Sequence, residues 1–114
     1  MFALTAAVRL FLYRGAVDMR KGADGLSGIV RYGMAADPLS GDVFVFCNRR
    51  RTMVKLLYWD RDGYAVWMKR LERGRYRVPD GPVQGEVDRA TLSMMLEGVI
   101  AARRLKRYEH RKII

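Results

Sequence analysis

Three apolar runs separated by short polar connections restrict this chain more than any other feature: Val43 to Cys47, Met53 to Trp59 and Tyr64 to Leu71, joined by Asn48 to Thr52 and Asp60 to Gly63. Their alternation reads as a meander of antiparallel strands, and a fourth strand is expected at Arg75 to Val78, after the turn Glu72 to Gly74. The Asp62-Gly63 step is a hairpin signal, because both residues tolerate positive φ. A turn centred there places Lys55, Leu57 and Trp59 on one face with Val66, Met68 and Arg70. Val54, Leu56 and Tyr58 then share the other face with Trp67, Lys69 and Leu71. Both faces are largely apolar, so the hairpin is expected near the middle of a sheet covered on each side.

The covers come from the rest of the chain. Val8 to Tyr13 reads as a first strand. Leu26, Ile29 and Val30 lie at helical spacing between Asp24 and Tyr32, with Asp24 a candidate N-cap and Gly33 a candidate stop; Gly25 and Gly28 weaken this helix. Asp37-Pro38-Leu39-Ser40-Gly41 is a turn by its chemistry. A clearer helix follows, in which Leu92, Met95, Leu96, Val99 and Ile100 form one apolar face behind Asp88 as cap, and its methionines read as core packing. With 114 residues, half of them hydrophobic, the chain has the length of one domain with a core of its own. No repeat or low-complexity segment divides it. The expected fold is α+β: a single domain over residues 1–102, mostly an antiparallel β-meander packed with two helices, followed by a basic C-terminal extension over residues 103–114.

Charge indicates the class of partner. Lys and Arg number 22 against 12 acids, a formal net charge of +10 with pI near 10.4, which suits nucleic acid, an anionic membrane surface or an acidic protein. Arg49-Arg50-Arg51 falls in a connection between strands, where no fold requires three adjacent guanidinium groups; a solvated turn is the plainer alternative. In an up-and-down meander the Asn48 to Thr52 loop and the Glu72 to Gly74 turn share one end of the sheet. That end is expected to gather Arg49, Arg50, Arg51, Lys55, Lys69, Arg70, Arg73 and Arg75, with Glu72 as the nearby acid, while Asp42, Asp60 and Asp62 go to the other. Clustered cations release the counterions condensed on nucleic-acid phosphates; about six contacts would weaken binding on the order of a thousandfold between 50 and 200 mM salt. The candidate phosphate contacts are Arg49, Arg50, Arg51, Lys69, Arg70, Arg73 and Arg75, with Arg20 and Lys21 as additions. Tyr58, Trp59, Trp67 and Tyr76 interleave with these cations and suit base stacking, although strand aromatics more often belong to a core.

Catalysis finds little support. Asp60-Arg61-Asp62 with Glu72 is the one acidic grouping that suggests a metal-dependent nuclease, yet Glu72 belongs to the other end of the hairpin and Asp-x-Asp-Gly is ordinary turn chemistry. His110 is the single histidine, so no histidine-based triad or metal cluster can be assembled. Gly22, Gly25 and Gly28 lack the phosphate-loop pattern. Neither a cofactor nor a metal is expected. Cys47 has no disulfide partner and reads as a small buried residue of a reducing compartment, which favours the cytoplasm. Met1 to Val8 is too short for a membrane span and poorly built for a secretion signal.

An ordered series of blocks carries a more specific likeness. Asp18-Met19-Arg20-Lys21-Gly22, Asp24-Gly25-Leu26, Asp37-Pro38-Leu39-Ser40-Gly41, Val43 through Arg51, Tyr58-Trp59-Asp60, Lys69 through Tyr76, and Leu96-Glu97-Gly98 together resemble the TnpB-type accessory protein, second open reading frame, of the insertion sequence sixty-six family of bacterial transposable elements. The resemblance implies a small bacterial protein that works in transposition beside a separate transposase carrying the catalytic chemistry. On that footing the expected partners are DNA, in particular element ends, and the transposase of the same element. An adaptor touching the transposase without nucleic acid is the alternative, and RNA is a third. The chain departs from the family pattern at Ala16-Val17, where Pro-Thr is usual, at Ala23, where an aromatic is usual, and after Gly98.

Overall fold

Val43 to Cys47 is the segment most completely withdrawn from solvent, every residue buried, and the sheet is built outward from it. A computed structural model of the protein describes residues 7–97. Its five strands are β1 (Leu10–Ala16), β2 (Val43–Cys47), β3 (Met53–Asp60), β4 (Gly63–Arg70) and β5 (Gln84–Val87), ordered β4-β3-β2-β1-β5 across the sheet. The β2–β3, β3–β4 and β1–β5 pairings are antiparallel, and β1–β2 is parallel. A parallel neighbour needs a crossover. Helix α1 (Ala23–Gly28), running on into one turn of π-helix at Ile29–Gly33, supplies it. A second helix, α2, occupies 89–97 within the described residues.

Strand alternation divides the core in two. On the α1 side, Phe44, Phe46 and Leu57 pack with Val17, Leu26, Val30 and Met34. On the α2 side, Leu10, Leu12, Val43, Val45, Cys47, Val54 and Leu56 pack with Tyr76, Leu92 and Met95. The expected α+β domain, mostly antiparallel and covered by two helices, is the fold observed. Val99, Ile100 and the basic extension lie outside the described residues.

Four details differ from the sequence reading. The hairpin lies at the edge of the sheet: among the described residues β4 pairs on one side only, and β2 holds the centre. Apolar residues on both faces of β4 therefore leave Val66 and Met68 exposed. The hairpin turn centres on Arg61-Asp62, because Asp60 pairs with Gly63 and Arg61 takes the positive φ of 55°. A shift of two in the register sum preserves parity, so the facial assignment of every residue in the hairpin holds. Arg75 to Val78 has no regular structure and pairs with no strand among the described residues, while Gln84–Val87 pairs with β1. The chain there crosses the end of the sheet from β4 to β5, and Pro79 and Pro82 lack the N–H groups a ladder needs. Finally, Gly22 is the N-cap of α1; Asp24 lies in its first turn, where a carboxylate suits the helix dipole. The Asp88 cap is formed as expected, its Oδ1 accepting from the Thr91 N–H at 2.7 Å.

Candidate nucleic-acid interface

Topology decides what lies at the Arg49-Arg50-Arg51 end. Because β1 and β2 are parallel, their carboxyl ends coincide; β3 begins there, β4 ends there and β5 begins there. Three loops consequently share that end: residues 17–22 after β1, 48–52 after β2, and the 71–83 crossing. Their backbones are tied together. The Val17 N–H donates to the Cys47 carbonyl at 3.0 Å, Leu71 N–H to Thr52 O at 2.8 Å, and Tyr76 N–H to Arg51 O at 2.6 Å. Asn48 shapes the middle loop, its Oδ1 accepting from the N–H groups of Thr52 (2.9 Å) and Met53 (3.0 Å) while its Nδ2 donates to Thr52 Oγ1 (3.0 Å).

Arg14 holds the crossing. Its Nε donates to Pro79 O at 2.7 Å and Nη1 to Pro82 O at 3.0 Å, with a longer contact from Nη2 to Asp80 O at 3.5 Å. Gly81 lies against this guanidinium so closely that a Cβ there would stand 2.8 Å from Arg14 Cζ. Lys55 has a similar fastening role. Its Nζ donates to the carbonyls of Met19 (2.8 Å) and Lys21 (2.9 Å), pinning the loop after β1 to β3. That ammonium is thus occupied, although the sequence reading placed it among the gathered cations.

The nine candidate contacts all belong to these loops or to the adjoining end of β4. Arg20, Lys21, Arg49, Arg50, Lys69, Arg70, Arg73 and Arg75 are exposed. Lys21, Arg49, Arg50, Lys69, Arg73 and Arg75 have no side-chain hydrogen bond or ion pair among the described residues. Arg70 Nη2 meets Glu72 Oε1 at 3.3 Å, and Arg20 Nη2 meets Asp18 Oδ2 at 2.7 Å. The Arg20 hydrogen bonds hold the Asp18 carboxyl down to about 2. Asp18 therefore joins Glu72 as an acid at this end, with Asp24 at the start of α1 and Asp80 in the crossing.

Arg51 differs from its neighbours. It adopts φ 60°, is half-buried, and turns its guanidinium inward, Nη2 reaching Arg14 O at 3.5 Å while Nη1 is buried without a hydrogen-bond partner. Burial pushes the adjacent Cys47 thiol up, and the Arg51 charge and hydrogen bond pull it the other way. Tyr76 is buried beside them; burial raises its phenol to about 12, and its hydroxyl donates to Lys69 O at 3.2 Å. The aromatics considered for base stacking are committed elsewhere: Tyr76 belongs to the core, Tyr58 and Trp67 pack against it, and Trp59 meets Tyr64 edge-on at 5.1 Å at the opposite end.

Two residues escaped the sequence reading. Arg77 is exposed, as Arg75 is, on either side of buried Tyr76. The period-two alternation Arg75-Tyr76-Arg77 carried that signal, masked by assigning the segment to a strand. Arg14 carried none, since its partners are carbonyls 65 or more positions away. Among the described residues, no group of three or more His, Cys, Asp or Glu is placed to hold a metal ion, and no helix is long and apolar enough to cross a membrane.

Fold and site together define a small mixed-sheet α+β domain with a cationic rim made of loops at one end. A model of the family described as "IS66 Orf2 like protein" matches residues 8–106, and the chain belongs to that family, a transposition-associated accessory group with no catalytic enzyme family indicated. Two relatives from Sinorhizobium fredii (strain NBRC 101917 / NGR234) are similar to it. "Uncharacterized protein y4jC" is 34% identical over 79 residues, covering 69% of this chain and 68% of the relative. "Uncharacterized protein y4hO" is 33% identical over 93 residues, 81% of each. No solved structure matches the chain.

Proposed function

We propose that this transposition accessory protein binds DNA through the phosphate backbone with its cationic rim, helping to seat a separate transposase at element ends. The supporting observation is the convergence of eight exposed cations on one end of the sheet, six of them without a partner among the described residues. Free guanidinium and ammonium groups lose no internal salt bridge on meeting a phosphate, and each displaces condensed counterions. Arg49, Arg50, Lys69, Arg73 and Arg75 lead, Arg70, Arg20 and Lys21 follow, and Arg51 supports the loop from within. The rim is a positioning surface: it offers no base-edge reader of defined geometry, so affinity with little sequence discrimination is the expected behaviour.

Fluorescence anisotropy across a salt series, with labelled element-end duplex and a scrambled duplex of equal length, tests the reading against the Arg49/Arg50/Arg51 to Ala variant. Binding should fall steeply with salt and weaken in the variant. Absence of binding at low salt would overturn direct DNA contact. Binding of purified transposase without DNA would then favour the adaptor role.

A further inference from the structure

The plane of the sheet divides the cationic rim into two halves. The 17–22 loop lies on the α1 side, where Val17 and Met19 pack with that core and Lys55 holds the Met19 and Lys21 carbonyls. The first part of the 71–83 crossing lies on the α2 side, with Tyr76 buried in the other core and Leu71 and Val78 packed against it. Strand parity sorts the end of β4. Arg70 pairs with Met53, on the Leu57 face toward α1, and Lys69 pairs with Val54, on the face toward α2.

The acids are not shared equally between these halves. On the α1 side, Arg20 donates to Asp18 through Nε at 3.1 Å and Nη2 at 2.7 Å, and Asp18 Oδ1 also accepts the Arg20 backbone N–H at 2.9 Å. Arg70 Nη2 meets Glu72 at 3.3 Å, and Asp24 stands in the first turn of α1 close in sequence to Lys21. On the α2 side, Lys69, Arg73, Arg75 and Arg77 are exposed and have no side-chain partner among the described residues. Asp80 and Glu97, the exposed acids of the crossing's far part and of α2, form no ion pair with them among those residues. Tyr76 fixes this row from within: its N–H donates to Arg51 O, its hydroxyl donates to Lys69 O at 3.2 Å, and Arg75 and Arg77 flank it.

Resting on the DNA-binding reading of the rim, we infer that the phosphate track runs along its α2 half, from Lys69 through Arg73 and Arg75 to Arg77, and that Arg77 is a further DNA contact. Arg49 and Arg50, at the tip of the loop after β2, adjoin this track because Arg51 O accepts from Tyr76. A phosphate approaching Arg20 or Arg70 must displace Asp18 or Glu72 and leave a carboxylate beside another anion, which is a like-charge penalty. A phosphate meeting Arg73, Arg75 or Arg77 displaces only water and small counterions, so the full counterion gain is realised there.

Two triple variants of the full chain test the asymmetry, because each removes three exposed cations and changes net charge equally. Fluorescence anisotropy with one labelled duplex across a salt series gives the log–log slope for each. Arg73→Ala with Arg75→Ala and Arg77→Ala should lower the slope by about 2.7, and Arg77→Ala alone by about 0.9, taking about 0.9 per phosphate contact. Arg20→Ala with Lys21→Ala and Arg70→Ala should lower it by less than about 0.9. Circular dichroism and urea midpoints should match wild type throughout, since the altered side chains are exposed. Equal losses from the two triples, or an unchanged slope in Arg77→Ala, would overturn the track while leaving DNA binding in place. A wild-type chain that binds no duplex at low salt would overturn the DNA reading and the track with it.

Discussion

The two ends of the sheet use charge in opposite ways. At the end carrying Asp42, Asp60 and Asp62, charges are largely spent on the fold: Arg9 bridges Glu86 at 2.7 Å and lies 5.1 Å from the Phe11 ring centroid, Asp42 Oδ1 accepts from the Arg9 N–H, and Asp88 caps α2. At the other end, among the described residues, Arg14, Lys55 and Arg51 are turned to structural work and most of the exposed cations are left unpaired. A basic residue near a backbone carbonyl cage becomes a fastener; one at the tip of a loop remains available to an external anion. Net charge alone does not make that distinction.

The most damaging way to break the contrast is to remove the support under the cationic rim. Tyr76 is the buried residue of the crossing and belongs to the same core cluster as the inward side chains of β1–β3 and Leu92 and Met95 of α2. Tyr76→Ala should destabilise the domain by about 3–5 kcal/mol in urea unfolding, the scale of large aromatic truncations in cores. Tyr76→Phe should cost far less, since only the single hydroxyl contact to Lys69 O is lost.

A smaller change sharpens the contrast without unfolding anything. Arg49→Ala with Arg50→Ala removes two exposed, unpaired guanidinium groups and should lower the log–log salt slope of DNA binding by about 1.8, taking about 0.9 per phosphate contact. Arg61→Ala at the other end should leave the slope unchanged. Equal losses from both ends would dissolve the distinction. Below these stands Arg14→Ala, which frees the 79–83 segment and should cost about 1–2 kcal/mol by the same unfolding assay, as expected for a charge-assisted hydrogen-bond set that is partly exposed.

Which parts of this were legible in sequence follows from how local each cause is. β2 and β3 were readable because period-two apolar runs with short connections specify themselves, and the parity of hairpin faces survived a misplaced turn. The β1–β2 parallel pairing was not readable, since it depends on a long crossover that closes between Ala16 and Val43. Arg75 to Val78 has the composition of a strand, and what makes it a crossing segment is its tie to the loop after β2, the Tyr76 N–H donating to Arg51 O while the ring is buried. The same limit governed the site. The cationic loops were located by topology, but the inward turn of Arg51 arises from its φ of 60° and the contact with Arg14, neither of which a run of three identical residues can announce.

The mildest test concerns a pair at the boundary between the two uses of charge. Arg20 is the most exposed member of the rim's two ion pairs, and its hydrogen bonds depress the Asp18 carboxyl to about 2. A carboxyl lowered on folding contributes stability above its unfolded value near 4, and that contribution disappears as pH falls through about 2. The pair is exposed and screened, so its effect on unfolding should be small and should shrink further in high salt. Its titration is more informative than its energy. Carbon-detected NMR of the Asp18 carboxyl should give a midpoint near 2, returning toward the ordinary carboxylate range in Arg20→Ala. If DNA phosphate captures Arg20, the midpoint should also rise when duplex is added. An unmoved midpoint in saturated complex would assign Arg20 to the fold, alongside Arg14 and Lys55.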